Sequence, residues 1–126
     1  AVTFESKILL GRQSVWPEGM LSVLAGFVDP GETLEHAVAR EVYEEAGIFV
    51  KNVQYQHSQP WPFPASLMVG FRAEAASTRL KVNTQEIEAA HWFSREQINQ
   101  FDGLTNFLPR KLSISRRLIE EWLVEK

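Results

Sequence analysis

The sequence predicts an α/β fold, an α/β/α sandwich built on a mixed β-sheet. Three observations predict it. Segments rich in β-branched and aromatic residues recur along the chain, amphipathic helical segments interrupt and follow them, and the resulting order is β-β-α-β-β-β-α-α. The length of 126 residues, with 44% hydrophobic and 23% charged content, suits a chain organised around one core.

Each element has its own signal. Residues 2–10 and 21–28 read as the first two strands, bounded by Gly, Pro and polar residues. Pro30-Gly31 marks a turn, after which Thr33 can cap a helix that carries Leu34, Ala37, Val38, Val42 and Ala46 on one side. Gly47 can end that helix in the left-handed conformation. Residues 49–58, 66–74 and 89–93 read as further strands. Ser94 opens an S-x-x-Q capping box for a short helix through Gln100. Pro109 bounds a last helix over residues 112–125, whose Leu112, Ile114, Leu118, Ile119, Trp122 and Leu123 form an apolar stripe.

The first helix has an apolar back and an acidic front. At about 100° per residue, Glu44 and Glu45 lie roughly 60° and 40° to either side of Glu41, so three carboxylates share one stripe. A solvated acidic face is the plain reading. The chemical one is a hard divalent cation, Mg²⁺ or Mn²⁺, which favours carboxylate and carbonyl oxygens and keeps positions open for water and phosphate. Arg40, four residues before Glu44, can pair with it and fix its rotamer. Glu32, at or before the helix start, suits either a structural or a metal-supporting role.

A second cluster, SQPWPFPAS at residues 58–66, interleaves three prolines with Trp61 and Phe63 and begins beside Gln59. Prolines fix φ and donate nothing to a sheet, so the segment is expected to be a rigid extended loop. Such a loop either plugs a core or presents ring faces and an amide to a flat heterocycle.

Residues 26–48, GFVDPGETLEHAVAREVYEEAGI, resemble the Nudix box at every defining position. With SQPWPFP placed ten residues later, and with the downstream GF and EIEAAHWF, the chain resembles the NADH pyrophosphatase branch of the Nudix hydrolases from about Leu9 onward. The resemblance implies a Nudix-type α/β/α sandwich and a single Nudix domain over residues 1–126. The N-terminal domain and four-cysteine zinc ribbon of full-length relatives have no counterpart in the sequence. It implies metal-dependent hydrolysis of the pyrophosphate of NADH or NAD into nicotinamide mononucleotide and AMP, with NAD-cap removal from RNA as a further activity of some members. It also implies metal ligands at Glu41, Glu44, Glu45, Glu86 and the Ala25 carbonyl, with Glu45 as the base, Glu44 its alternative, and Arg40 in support. On the substrate side it implies Phe27 stacking on a base, contacts from Gln59, Pro60, Trp61, Pro62, Phe63, Pro64, Ala65 and Ser66, and Ser115 where relatives usually have alanine. A homodimer is implied as well. Two alternatives stay open: another nucleoside diphosphate derivative such as ADP-ribose or a diadenosine polyphosphate, or a nucleotide-binding module without catalysis.

The rest of the sequence mainly excludes. A net charge of −3 gives no broad attraction to nucleic acid, and Arg110, Lys111, Arg116 and Arg117 read as the solvated face of the last helix. No apolar run approaches membrane-spanning length and no secretory signal is evident, so a cytoplasmic location is expected. With no cysteine, the 126 residues offer neither a disulfide nor a thiolate metal site. His36, His57 and His91 read as incidental, and Trp16, Trp92 and Trp122 as packing residues.

Overall fold

The computed structural model describes residues 1–24, 31–61, 66–103, 105–110 and 113–125. The elements run β1 (Val2–Phe4), β2 (Lys7–Arg12), α1 (Leu34–Ala46), β3 (Val50–Trp61), β4 (Ser66–Ala75), β5 (Ala89–Ser94), α2 (Arg95–Asn99) and α3 (Ile114–Leu123). They form a mixed five-stranded sheet in the order β3-β4-β1-β2-β5, in which only the β1–β4 pairing is parallel.

The middle of β2 explains the sandwich. Ile8, Leu9 and Leu10 are completely buried although successive side chains on a strand point to opposite faces, so both faces of the sheet must be covered. Leu9 packs with Val2, Val42, Ala46, Ile48 and Ala75 beneath α1. Ile8 and Leu10 pack with Ile98, Leu118, Ile119 and Trp122 beneath α2 and α3. The expected α/β/α architecture is therefore present, with α1 on one face and the last two helices on the other.

The order of elements matches expectation, but the first two strands are assigned differently. Residues 2–10 are a hairpin and not one strand: Val2 pairs with Leu9 and Phe4 with Lys7, and the chain reverses at Glu5, which has a φ of 52°. A turn at Glu5-Ser6 lacks the Gly, Pro or Asn that marks most turns, so the sequence hides it. In the expected strand 21–28, residues 21–24 form an isolated bridge between Ser22 and Gly11 and a hydrogen bond from the Leu21 N–H to the Phe107 carbonyl, and residues 25–28 lie outside the described residues.

The loop expected at 58–66 also begins later than anticipated. Gln59, Pro60 and Trp61 continue β3 and pair with Met68, Leu67 and Ser66 of β4. Because β3 is the edge strand, the missing N–H of Pro60 breaks no ladder on a further strand. Pro62, Phe63, Pro64 and Ala65 lie outside the described residues.

The helix ends follow their signals. Thr33 accepts a hydrogen bond from the His36 N–H, Ser94 and Gln97 form the reciprocal capping box, and Ser113 caps α3 through the Arg116 N–H. Gln100 is the C-cap of α2 and not its last turn. Leu112, expected at the start of α3, lies outside the described residues, and Leu34 is exposed although it was expected on the apolar side of α1.

Candidate active site

The acidic face of α1 converges on Arg40. Its guanidinium donates to both oxygens of Glu32, at 2.7 and 2.9 Å, to Glu41 at 2.7 Å and to Glu44 at 3.2 Å. One rigid planar cation thus orients three carboxylates. For Glu32 the structure shows a bidentate ion pair with Arg40.

Glu45 is different. It is 2% exposed, and neither carboxylate oxygen accepts a hydrogen bond. Burial pushes its pKa from 4.5 up to about 8, and contact with the Glu41 carboxyl and repulsion from Glu41, Glu86 and Glu44 push the same way. A proton on Glu45 would bridge to Glu41, whereas the ionised pair has no donor between its members.

Glu86 reaches this cluster through the backbone. The Lys81 N–H donates to the Ala46 carbonyl at 2.8 Å and the Asn83 N–H to the Glu45 carbonyl at 2.9 Å, so the segment before β5 completes the C-terminal end of α1. A turn closed by the Glu86 N–H on the Asn83 carbonyl then sets Glu86 beside Glu45. Gly47 permits this approach: its φ is 71°, and a Cβ there would lie 2.7 Å from Lys81 Cβ.

Among the described residues no three His, Cys, Asp or Glu side chains form a preformed cation site; Arg40 pairs with Glu41 and Glu44, and Glu86 is exposed. The cluster nonetheless fits a hard divalent ion. It is built from oxygen donors, and its buried member lacks any balancing charge. The Ala25 carbonyl and Phe27 lie outside the described residues.

The expected substrate residues gather elsewhere. Gln59 Oε1 accepts the Ile114 N–H at 2.8 Å, tying the edge strand to the first turn of α3, where Ser115 also sits. A cleft of about 400 Å³ opens here, lined by Ser58, Gln59, Ser113 and Arg117 among others. The acidic face and this cleft belong to opposite faces of the sheet. Two features escaped sequence reasoning: the docking of residues 81–83 on the end of α1, and His57, whose Nε2 contacts Glu121. Only the i,i+2 spacing of His57 and Gln59 on one strand hints at the second.

The NUDIX domain family profile matches residues 1–118, and the chain belongs to the Nudix family. It is 51% identical over 124 residues to the NAD-capped RNA hydrolase NUDT12 of Homo sapiens, covering 94% of this chain and 26% of that protein. It is 47% identical over 121 residues to the NAD-capped RNA hydrolase NudC of Escherichia coli, covering 96% of this chain and 44% of the relative. Against the mitochondrial NAD(P)H pyrophosphatase NUDT13 of Homo sapiens it is 45% identical, covering 96% and 38%. The chain therefore spans about a quarter to under half the length of these relatives. Among solved structures, a Nudix hydrolase from Nitrosomonas europaea superposes with a TM-score of 0.66 at 26% identity, covering 77% of this chain and 57% of that one. A Nudix-family hydrolase from Clostridium perfringens, at 17% identity, matches the fold with a TM-score of 0.74 over 97% of this chain and 91% of its own. Among the described residues no helix is long and apolar enough to cross a membrane.

Proposed function

We propose that the chain hydrolyses the pyrophosphate bond of NADH or NAD, releasing AMP and nicotinamide mononucleotide, reduced when NADH is the substrate, and removes NAD caps from RNA by the same cleavage. The observation that carries this reading is Glu45, a buried carboxylate with no donor, pressed against Glu41 and in the field of Glu44 and Glu86. Without a cation that carboxyl keeps its proton near neutral pH; a divalent ion would offset the repulsion among the four carboxylates and favour the ionised form, which could then take a proton from water. The names of the relatives point to the same substrates.

Glu41, Glu44, Glu45 and Glu86, with the Ala25 carbonyl, would hold Mg²⁺ or Mn²⁺. When bound, such an ion neutralises phosphate charge and lowers the pKa of a coordinated water. Arg40 keeps Glu41 and Glu44 in fixed rotamers, so little side-chain freedom is lost when substrate arrives. Glu45 accepts the proton of the attacking water, with Glu44 as the alternative. Phe27 stacks on a base, and the segment from Gln59 to Ser66 together with Ser115 selects the dinucleotide. A cytoplasmic homodimer of this Nudix domain completes the proposal.

The test is a substrate panel of NADH, NAD, ADP-ribose, diadenosine polyphosphate and NAD-capped RNA in heavy-oxygen water. Reduced nicotinamide mononucleotide and AMP are expected from NADH, and nicotinamide mononucleotide and AMP from NAD, one product of each pair carrying the label. Preferential cleavage of ADP-ribose or of the diadenosine compound would replace the substrate assignment, and no cleavage of any compound with either ion would reject catalysis.

A further inference from the structure

A helix that packs on a sheet is commonly held by its apolar stripe alone. Here α3 is also fastened to the edge strand at two polar points. Gln59 accepts the Ile114 N–H at the helix start. His57, two residues earlier on β3, contacts Glu121, which lies seven residues further along α3 and on the same side as Ile114. Glu121 Oε1 is shared, since Arg117 Nε donates to it at 3.2 Å. Beside them on β4, Gly70 pairs with His57 and lets the helix approach: a Cβ there would lie 3.0 Å from Ile114 Cδ1 and 3.1 Å from Leu118 Cδ1.

These contacts fall at the outer half of the β3–β4 hairpin, where Gln59–Trp61 pair with Ser66–Met68. An edge strand has a neighbour on one side only, so the direction of this hairpin end is set by β4 and by whatever grips β3 from the face. We propose that His57, acting through Glu121, is a positioning residue: with Gln59 it braces the hairpin end against α3 and thereby sets the fit of the dinucleotide. The inference rests on the proposed pyrophosphatase reading. Because α1 and its carboxylates lie on the other face of the sheet, the brace acts on binding and leaves the chemical step intact.

The experiment compares wild type, His57→Ala, His57→Gln, Glu121→Ala and the double alanine variant in NADH hydrolysis, with hydrogen exchange at the Ile114 amide measured in parallel. His57→Ala is expected to raise KM about tenfold at nearly constant kcat, the factor one charge-assisted contact carries. His57→Gln, which retains a donor, should restore most of that loss, and the double variant should be no worse than the poorer single. The Ile114 amide should exchange faster in His57→Ala. Unchanged KM, equal losses in His57→Ala and His57→Gln, or additive single effects would overturn the brace. If the wild type leaves NADH intact, the functional reading fails instead. The exchange rate at Ile114 then decides, and unaltered protection in His57→Ala rejects the brace.

Discussion

Glu45 differs from Glu41 and Glu44 in having neither water nor Arg40 to balance its charge. Two expectations follow at this single residue. Glu45→Gln keeps the side-chain shape and should lower kcat by at least about a hundredfold, the lower range for a positioned base. Retention of half the wild-type rate with saturating Mg²⁺ or Mn²⁺ would remove Glu45 from the chemistry. The second concerns pH in protein stripped of metal by a chelator. The folded-state pKa of about 8 exceeds the ordinary 4.5, so the folded form holds a proton that the unfolded form has lost between those values. The contribution of Glu45 to stability is therefore fully present below about 4.5 and is lost as pH rises through about 8. Urea unfolding across that window should show wild type losing stability relative to Glu45→Gln, and added divalent cation should remove the difference.

At the scale of elements, the end of α1 and the segment over 81–86 behave as one unit joined at Gly47. Gly47→Ala forces a Cβ to within 2.7 Å of Lys81 Cβ at a φ of 71°. A destabilisation of at least about 1–2 kcal/mol is expected from the left-handed conformation alone. The more specific outcome is kinetic: Glu86 should shift while Glu41, Glu44 and Glu45 stay on their helix, so kcat should fall and the metal concentration for half-maximal rate should rise. Unaltered metal dependence would show that Glu86 takes no part. This unit marks where the sequence is readable and where it is not. Thr33, Gly47 and the Ser94–Gln97 capping box announce helix ends because their effects are local. Nothing local announces that Lys81 and Asn83 will donate to carbonyls of α1, or that Gln59 will accept from Ile114 across 55 residues. The carboxylate stripe was legible because 3.6-residue periodicity fixes it, whereas the burial of Glu45 depends on the whole fold. The β3 boundary is hidden in the sequence for a related reason: prolines exclude an interior strand, but edge position is a property of the assembled sheet.

Across the whole molecule, the sheet separates the two groups of residues to which the proposed function gives different work. The acidic face of α1 stands over one surface, and Gln59, His57 and α3 meet on the other. Residues without shared partners contribute nearly independently to a free energy. Glu44→Gln and Gln59→Ala should accordingly combine so that their effects on kcat/KM multiply, to within about 0.5 kcal/mol of transition-state free energy. A double variant far better or worse than that product would reveal communication through the sheet. Such separation has a consequence for divergence of the fold. Under the proposed function, substitutions along β3 and α3 would shift which dinucleotide is preferred one small step at a time without first passing through an inactive protein, while changes to the carboxylates on the opposite surface would be exposed to selection at once.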